Sequence, residues 1–408
     1  MENKLLGKFL ASLDLSEKNA STHNLEKRQD GIRQFFGGAL HHSPDMDIFE
    51  EGGAICFSCG EPRFTDARLS DRATTHGFGA AWLAALQQHG SDAAKFVRGR
   101  FAVLLIQPEQ GRVLSITDRF ATYSVCYKSS ENCIRIGDRA DDVAGSNPDI
   151  SSQGLYDFLF YHVIPAPTTV FESVSRVPAG LVLEWLMGSA SCKPYWTPDF
   201  AQQSTASLEE QEARFLNLVE SAVAREAEKG NVGAFLSGGT DSSTIAGMLC
   251  KVLGEPAKTY SIGFDASGYD EMEYARIAAR QFGADHNEYY VTPEDLLEGI
   301  PKVAVHYDQP FGNSSAVPAW VCASRARADG LDKVLAGDGG DELFGGNERY
   351  AKQRVFERYA LIPKVLRRFA FEPASRLPGI DKVPIVRKAV SYVKQARLPL
   401  PDRLYTYN

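Results

Sequence analysis

In the second half of the chain, short apolar runs alternate with longer stretches whose apolar residues return every three or four positions. The runs at 232–236, 258–262, 286–291 and 333–335 read as strands, and the stretches at 242–253, 271–282, 293–306 and 315–329 as helices. Such alternation predicts a mostly parallel sheet with helices on both faces from about residue 208 onward. Thr292 followed by Pro293 marks a helix start, with a capping hydroxyl and proline at the first helical position. A long helix over 208–228 leads into this region. The first 200 residues are patterned differently. Segments 101–106, 112–116 and 134–137 read as strands of an antiparallel system with Gly, Asn, Asp and Ser between them, and 82–89 as the end of an amphipathic helix. The polar stretch 201–207 reads as a linker. The expectation is therefore a two-domain chain, 1–200 and 208–408, α+β followed by α/β.

The candidate chemistry sits where strand meets helix. The run 232–236 ends in Leu236 and is followed by Ser237-Gly238-Gly239-Thr240-Asp241-Ser242-Ser243. Two glycines at a strand–helix junction expose backbone N–H groups, the helix start adds a positive dipole end, and the serine hydroxyls converge there, which together make an anion site. Asp241 puts a carboxylate where phosphates would gather, which is repulsive unless a divalent cation such as Mg²⁺ lies between. No lysine follows the glycines, so this is not the GxxxxGK[ST] phosphate loop. After the strand 333–335 comes a second acidic turn, Gly337-Asp338-Gly339-Gly340-Asp341-Glu342. Three carboxylates packed among glycines at a strand end suggest the other half of one cation-bound site.

These motifs, with Ser261-Ile262-Gly263-Phe264, Tyr269-Asp270-Glu271, Tyr274-Ala275, His286-x-Glu288, Asp308-Gln309-Pro310-Phe311, Ser314-Ser315 and Arg349-Tyr350, resemble in kind and order the synthetase domain of asparagine synthetases. Relatives that make other amides, including β-lactam synthetases and lasso peptide cyclases, share the signature, so the resemblance fixes the chemistry better than the substrate. It implies an ATP-dependent, AMP- and pyrophosphate-forming carbon–nitrogen ligase. A carboxylate, aspartate or an Asp/Glu side chain, becomes an acyl-adenylate and is then amidated by ammonia or an amine. By the same resemblance Ser237, Gly238, Gly239, Ser242 and Ser243 cradle pyrophosphate, Asp241 and Asp341 hold Mg²⁺, and Leu236, Ile262 and Gly337 line the adenosine site. Asp338 would face the reacting centre as catalytic acid/base. Segments around 97–102, 118–123, 165–171, 178–180 and 195–196 resemble the family's N-terminal glutaminase-like domain, an α-β-β-α sandwich of two facing sheets.

Departures from the pattern shape the expectation further. The family's glutaminase exposes Cys as its first residue after Met removal, whereas residue 2 here is Glu2. The segment whose Asn helps form the oxyanion hole is Ser58-Cys59-Gly60-Glu61-Pro62-Arg63 here. A degenerate glutaminase domain with a structural role is expected. Family members also continue past the equivalent of Asn408 into a helical segment with a lysine. The C-terminal domain is therefore expected to be incomplete, with a partner chain as one way of supplying the rest and a homodimer as another association.

Bulk properties narrow the alternatives. At 44% hydrophobic and 24% charged, the 408 residues suit a soluble globular protein with two sizeable cores. No apolar run reaches the roughly 20 residues of a membrane span, and no signal peptide pattern opens the chain. Seven cysteines at irregular spacings fit reduced thiols, so a cytoplasmic location is expected, with Cys56-x-x-Cys59 read as incidental thiols and not zinc ligands. The net charge of −8 divides unevenly: from Ala351 onward 13 Lys and Arg face 4 Asp and Glu, leaving −17 for the first 350 residues. The basic end reads as solvated faces of short helices, and neither nucleic acid nor membrane is expected as a partner. A tRNA-modifying enzyme using the same loop and a non-catalytic nucleotide-binding partner are the other function classes.

Overall fold

A computed structural model describes residues 8–17, 31–43, 46–199, 205–264, 272–346, 348–375, 384–399 and 403. Outside them lie Tyr269-Asp270-Glu271, most of the linker at 201–207, and both chain ends. The chain divides into two units, Met1–Gln203 with His306–Gly312, and Ser204–Val305 with Asn313–Asn408.

The first unit holds two six-stranded sheets whose pairings are all antiparallel. Its central strand, Val97–Gln107, carries the unbroken apolar run Phe101 to Ile106, and that run is buried on both faces. Successive side chains in a strand point to opposite sides. Ala102, Leu104 and Ile106 therefore meet Phe9, Leu13, Leu40 and Ile134 of the facing sheet. Val103 and Leu105 turn the other way, onto Trp82, Leu83 and Leu86 of the helix Ala67–His89. That helix starts at Asp66, whose carboxylate accepts from Arg68 N at 2.8 Å and Leu69 N at 3.1 Å. The outer face of the other sheet is covered by the helix Ala140–Ala144, through Ala140 and Val143 against Cys126. Helix, sheet, sheet and helix thus form the four-layer sandwich that the resemblance implies.

Residues 306–312 complete this unit. The Asp308 carboxylate accepts from Arg176 Nη2 at 2.8 and 2.7 Å and from Ala140 N at 2.7 Å. The sequence pattern groups Asp308-Gln309-Pro310-Phe311 with the synthetase motifs, yet by packing these residues belong with the first unit.

The second unit is built on a four-stranded sheet in the order Asp285–Tyr290, Lys258–Gly263, Val232–Phe235, Lys333–Leu335, every pair parallel. Val232, Ala234 and Leu236 pack on Ala246 and Leu249 of the helix Thr240–Leu253 and on Val223 of the helix Leu208–Ala227. Tyr260, with Phe235 and Ile262, meets Cys322 and Ala326 of the helix Ala316–Ala328 on the opposite face. Helices therefore cover both faces, as the alternation predicts. Thr292 and Asp295 cap each other at the start of Pro293–His306, with Asp295 N donating to Thr292 Oγ1 at 3.2 Å and Thr292 N to Asp295 Oδ2 at 2.9 Å. The basic end forms helices at Glu348–Glu357 and Pro384–Ala396, and between them Pro363 separates a short turn at Arg358–Leu361 from a helical run over 364–374 that contains Pro373. Among the described residues no helix is long and apolar enough to cross a membrane.

Candidate active site

The strand order leaves Val232–Phe235 with its successor Lys258–Gly263 on one side and Lys333–Leu335 on the other. This is a topological switch point, where the carboxyl ends of parallel strands diverge into a crevice that ligands occupy in open α/β sheets. The two glycine-rich turns leave the sheet there side by side, since Ala234 and Leu335 are register partners.

The first turn is tightly determined. Leu236 is buried; its N–H donates to Tyr260 O at 2.9 Å and its carbonyl accepts from Ser261 Oγ. Gly238 has φ +84°, and a Cβ there would lie 2.5 Å from Ala275 N and from Tyr274 Cβ, so only glycine fits. Gly239 is extended, at φ −69° and ψ 161°, and the helix begins at Thr240. This start is two residues earlier than the apolar pattern predicts, because glycine alone serves as the cap and Asp241 and Ser242 belong to the first turn. Ser237 N donates to Ser242 Oγ at 3.1 Å, the two hydroxyls lie 2.8 Å apart, and Ser242 Oγ donates to Gly239 O at 3.2 Å. Ser243 Oγ is buried without a hydrogen-bond partner. An orphaned buried hydroxyl beside the unpaired amides of a helix start is a site shaped for an oxyanion.

The second turn locks into the first. A Cβ on Gly337 would lie 2.7 Å from Asp241 C and Ser242 N, and one on Gly340 would lie 2.4 Å from Asp241 Cγ and Oδ2. The Asp241 carboxylate is thus seated on the backbone of Gly340, next in sequence to Asp341. The Asp341 carboxylate is in turn crowded by Gly346, where a Cβ would meet Oδ1 at 2.3 Å. Asp338 is exposed between Gly337 and Gly339. The described residues contain no cluster of three or more His, Cys, Asp or Glu able to hold a metal by themselves. Asp241 and Asp341 supply hard oxygen donors, which suits Mg²⁺, an ion that keeps several waters and takes further oxygens from substrate phosphates.

Next to Ser237 opens a mainly apolar cavity of about 740 Å³, lined by Leu236, Tyr260, Ile262 and Phe264, with Ser314 and Ser315 also in its wall. Its size and lining are those of a pocket for a small organic ligand. Leu236 and Ile262 are in its wall, and Gly337 lies against Asp241 and Ser242. Cys322 is in the wall too, and burial pushes its thiol up to about 12. Ser314 and Ser315 are legible in the sequence as a motif without a role. Phe264 is likewise legible only as a member of a motif, and Cys322 gives no sign of lining a pocket, because only the packing of Ala316–Ala328 on the sheet brings it there.

Behind the loop, burial holds the His286 imidazole below its ordinary range. Its Nδ1 lies 3.0 Å from Thr259 Oγ1, and its Nε2 is buried with no hydrogen bond, 3.8 Å from Glu288 Oε1. The Arg276 guanidinium holds the Glu288 carboxyl below its usual value.

The chain is similar to known proteins in both units. Residues 214–398 match the asparagine synthase family and residues 70–196 the glutamine amidotransferase domain family. Asparagine synthetase (glutamine-hydrolyzing) 1 of Bacillus subtilis is 26% identical over 330 residues, covering 79% of this chain and 50% of that protein. Putative asparagine synthetase (glutamine-hydrolyzing) 2 of Methanocaldococcus jannaschii is 27% identical over 287 residues, 68% of this chain and 55% of that protein. Amidase chry2 of Gibberella zeae is 26% identical over 296 residues, 67% of this chain and 44% of that protein. The chain spans about half the length of these curated relatives.

Proposed function

We propose a function for a chain that carries an asparagine synthase domain preceded by a glutamine amidotransferase-type domain: ATP-dependent formation of an amide from a carboxylate. The observation that carries this reading is the interlocked pair of glycine turns at the switch point, with the Asp241 carboxylate seated on Gly340 and the Ser243 hydroxyl left without a partner.

A carboxylate is a poor acyl donor because oxide would have to leave. In the proposed reaction its oxygen attacks the α-phosphorus of ATP, the bond to the β-phosphate oxygen breaks, and pyrophosphate departs. The resulting acyl-adenylate then loses AMP to an attacking amine. The backbone amides of Gly238 and Gly239 and the hydroxyls of Ser237, Ser242 and Ser243 would hold the departing pyrophosphate, where charge accumulates. Leu236, Ile262 and their neighbours would hold adenosine in the apolar cavity. Asp241 and Asp341 would hold Mg²⁺, which neutralises phosphate charge when bound. Asp338 would accept the proton that the amine gives up on attack.

The nitrogen source in this reading is ammonia or a substrate amine. In the segment Ser58-Cys59-Gly60-Glu61-Pro62-Arg63, where the resemblance expects the asparagine of an oxyanion hole, no side chain carries an amide N–H, and Cys59 is buried among apolar side chains between the two sheets. The first unit then serves as a structural domain. The test is carboxylate-dependent exchange of labelled pyrophosphate into ATP, with glutamine hydrolysis followed in parallel. Exchange with a suitable carboxylate and no glutamate release is expected; glutamate release would contradict the nitrogen assignment.

A further inference from the structure

His286-x-Glu288 and Tyr274-Ala275 recur among the sequence motifs, yet neither lines the nucleotide cavity through a polar group, and the chemistry proposed above gives them no part. Their placement does. Gly238 rests on the first turn of the helix Met272–Phe282, since a Cβ on it would strike Ala275 N and Tyr274. The shape of the pyrophosphate loop therefore depends on where that helix start lies. Its buried contacts are Met272, Ala275 and Ala279, and small apolar surfaces pack without specifying register. The directional contact is the next residue. Arg276 donates from Nε to Glu288 Oε1 at 2.8 Å and from Nη2 to Glu288 Oε2 at 2.5 Å, a two-pronged fork.

Glu288 is itself fixed to the loop from the other side. It lies in the strand Asp285–Tyr290 as the register partner of Ser261, and Ser261 Oγ donates to the carbonyl of Leu236, the last residue before the loop. Two positions away on the same strands, Thr259 meets His286. A closed circuit results: Leu236, Ser261, Glu288, Arg276, Ala275 and Gly238, with Gly238 two residues from Leu236. We propose that Arg276 and Glu288 are a positioning pair that closes this circuit and sets the pyrophosphate loop in its binding conformation. The inference rests on the nucleotide-binding reading above.

Half-exposed ion pairs contribute little to global stability, whereas displacement of a binding loop by an ångström can cost orders of magnitude in function. The two effects separate in one experiment on the full chain. MgATP affinity is measured by titration calorimetry and amide hydrogen exchange at residues 237–240 is measured without nucleotide. The proteins compared are wild type, Glu288→Gln, Arg276→Lys, the exchanged pair R276E/E288R, and Glu220→Gln as a control that breaks the exposed pair with Lys251. Glu288→Gln is expected to weaken MgATP binding about tenfold or more and to speed exchange at 237–240, with thermal midpoint little changed. Arg276→Lys keeps the charge but loses the fork, so it should fall between. The exchanged pair should recover much of the affinity, and Glu220→Gln should match wild type. Wild-type affinity and wild-type exchange in Glu288→Gln would overturn the inference, and if that variant does not fold, Arg276→Lys decides by the same two readouts. Failure of the wild type to bind MgATP would instead sink the nucleotide reading, while the exchange measurement would still decide the pairing.

Discussion

The Cα of Gly340 is seated against the carboxylate of Asp241 so closely that a Cβ there would lie 2.4 Å from both Cγ and Oδ2. Two turns far apart in sequence thereby form one surface, and the orientation of the proposed cation ligand depends on a missing methyl group. Gly340→Ala must push the carboxylate aside. Pyrophosphate exchange should fall about tenfold or more while circular dichroism stays unchanged. Exchange at the wild-type rate would show that the orientation of Asp241 does not matter.

Removing the charge while keeping the shape is the complementary change. Asp241→Asn preserves the packing on Gly340 but cannot balance phosphate charge through a metal, so exchange should be abolished. Cys56→Ala and Cys59→Ala should leave exchange intact at temperatures where both fold. Burial drives the Cys56 thiol well above its ordinary range, so it carries no thiolate at neutral pH. Activity in Asp241→Asn protein, measured with the same carboxylate, would remove the metal-ligand assignment.

Ser243 separates binding from stability. Its hydroxyl is buried and unpartnered, a state that costs roughly 1–3 kcal/mol of desolvation. Ser243→Ala should therefore leave the thermal midpoint of the nucleotide-free protein unchanged or raised, and should weaken MgATP binding. A variant that loses stability but keeps affinity would mean that the hydroxyl supports the fold and not the ligand.

His286 gives a pH signature. Its folded pKa lies below the ordinary 6.5 because burial penalises the cation. Below that value the unfolded chain binds a proton that the folded chain resists. Its contribution to stability is thus fully present above about 6.5 and lost as pH falls toward the folded value. His286→Gln should flatten this part of the profile, read from urea midpoints between about pH 8 and about pH 5.5. An unchanged slope would place the titration elsewhere.

The sequence carries the fold wherever a local pattern has one physical solution. Phe101 to Ile106 is apolar throughout because a sheet and a helix cover its two faces. Gly238 is legible because a positive φ and a crowded approach admit no other residue. The helix begins at Thr240, two residues before its apolar pattern starts, since a glycine cap leaves no side-chain mark. Asp308 reads as a synthetase motif, and its partners Arg176 and Ala140 are distant in sequence. The fork between Arg276 and Glu288 is equally hidden, because it depends on how a helix lies across a strand. Long-range polar pairings leave no periodicity to read.

In the proposed reaction a carboxylate attacks the α-phosphorus of ATP in the crevice between the two turns. The most direct measurement supplies a carboxylate labelled with heavy oxygen, together with ATP, Mg²⁺ and an amine, and analyses the nucleotide product by mass spectrometry. AMP carrying one labelled oxygen, with an equal amount of pyrophosphate, is the predicted result. ADP as the product, or AMP without label, would contradict it.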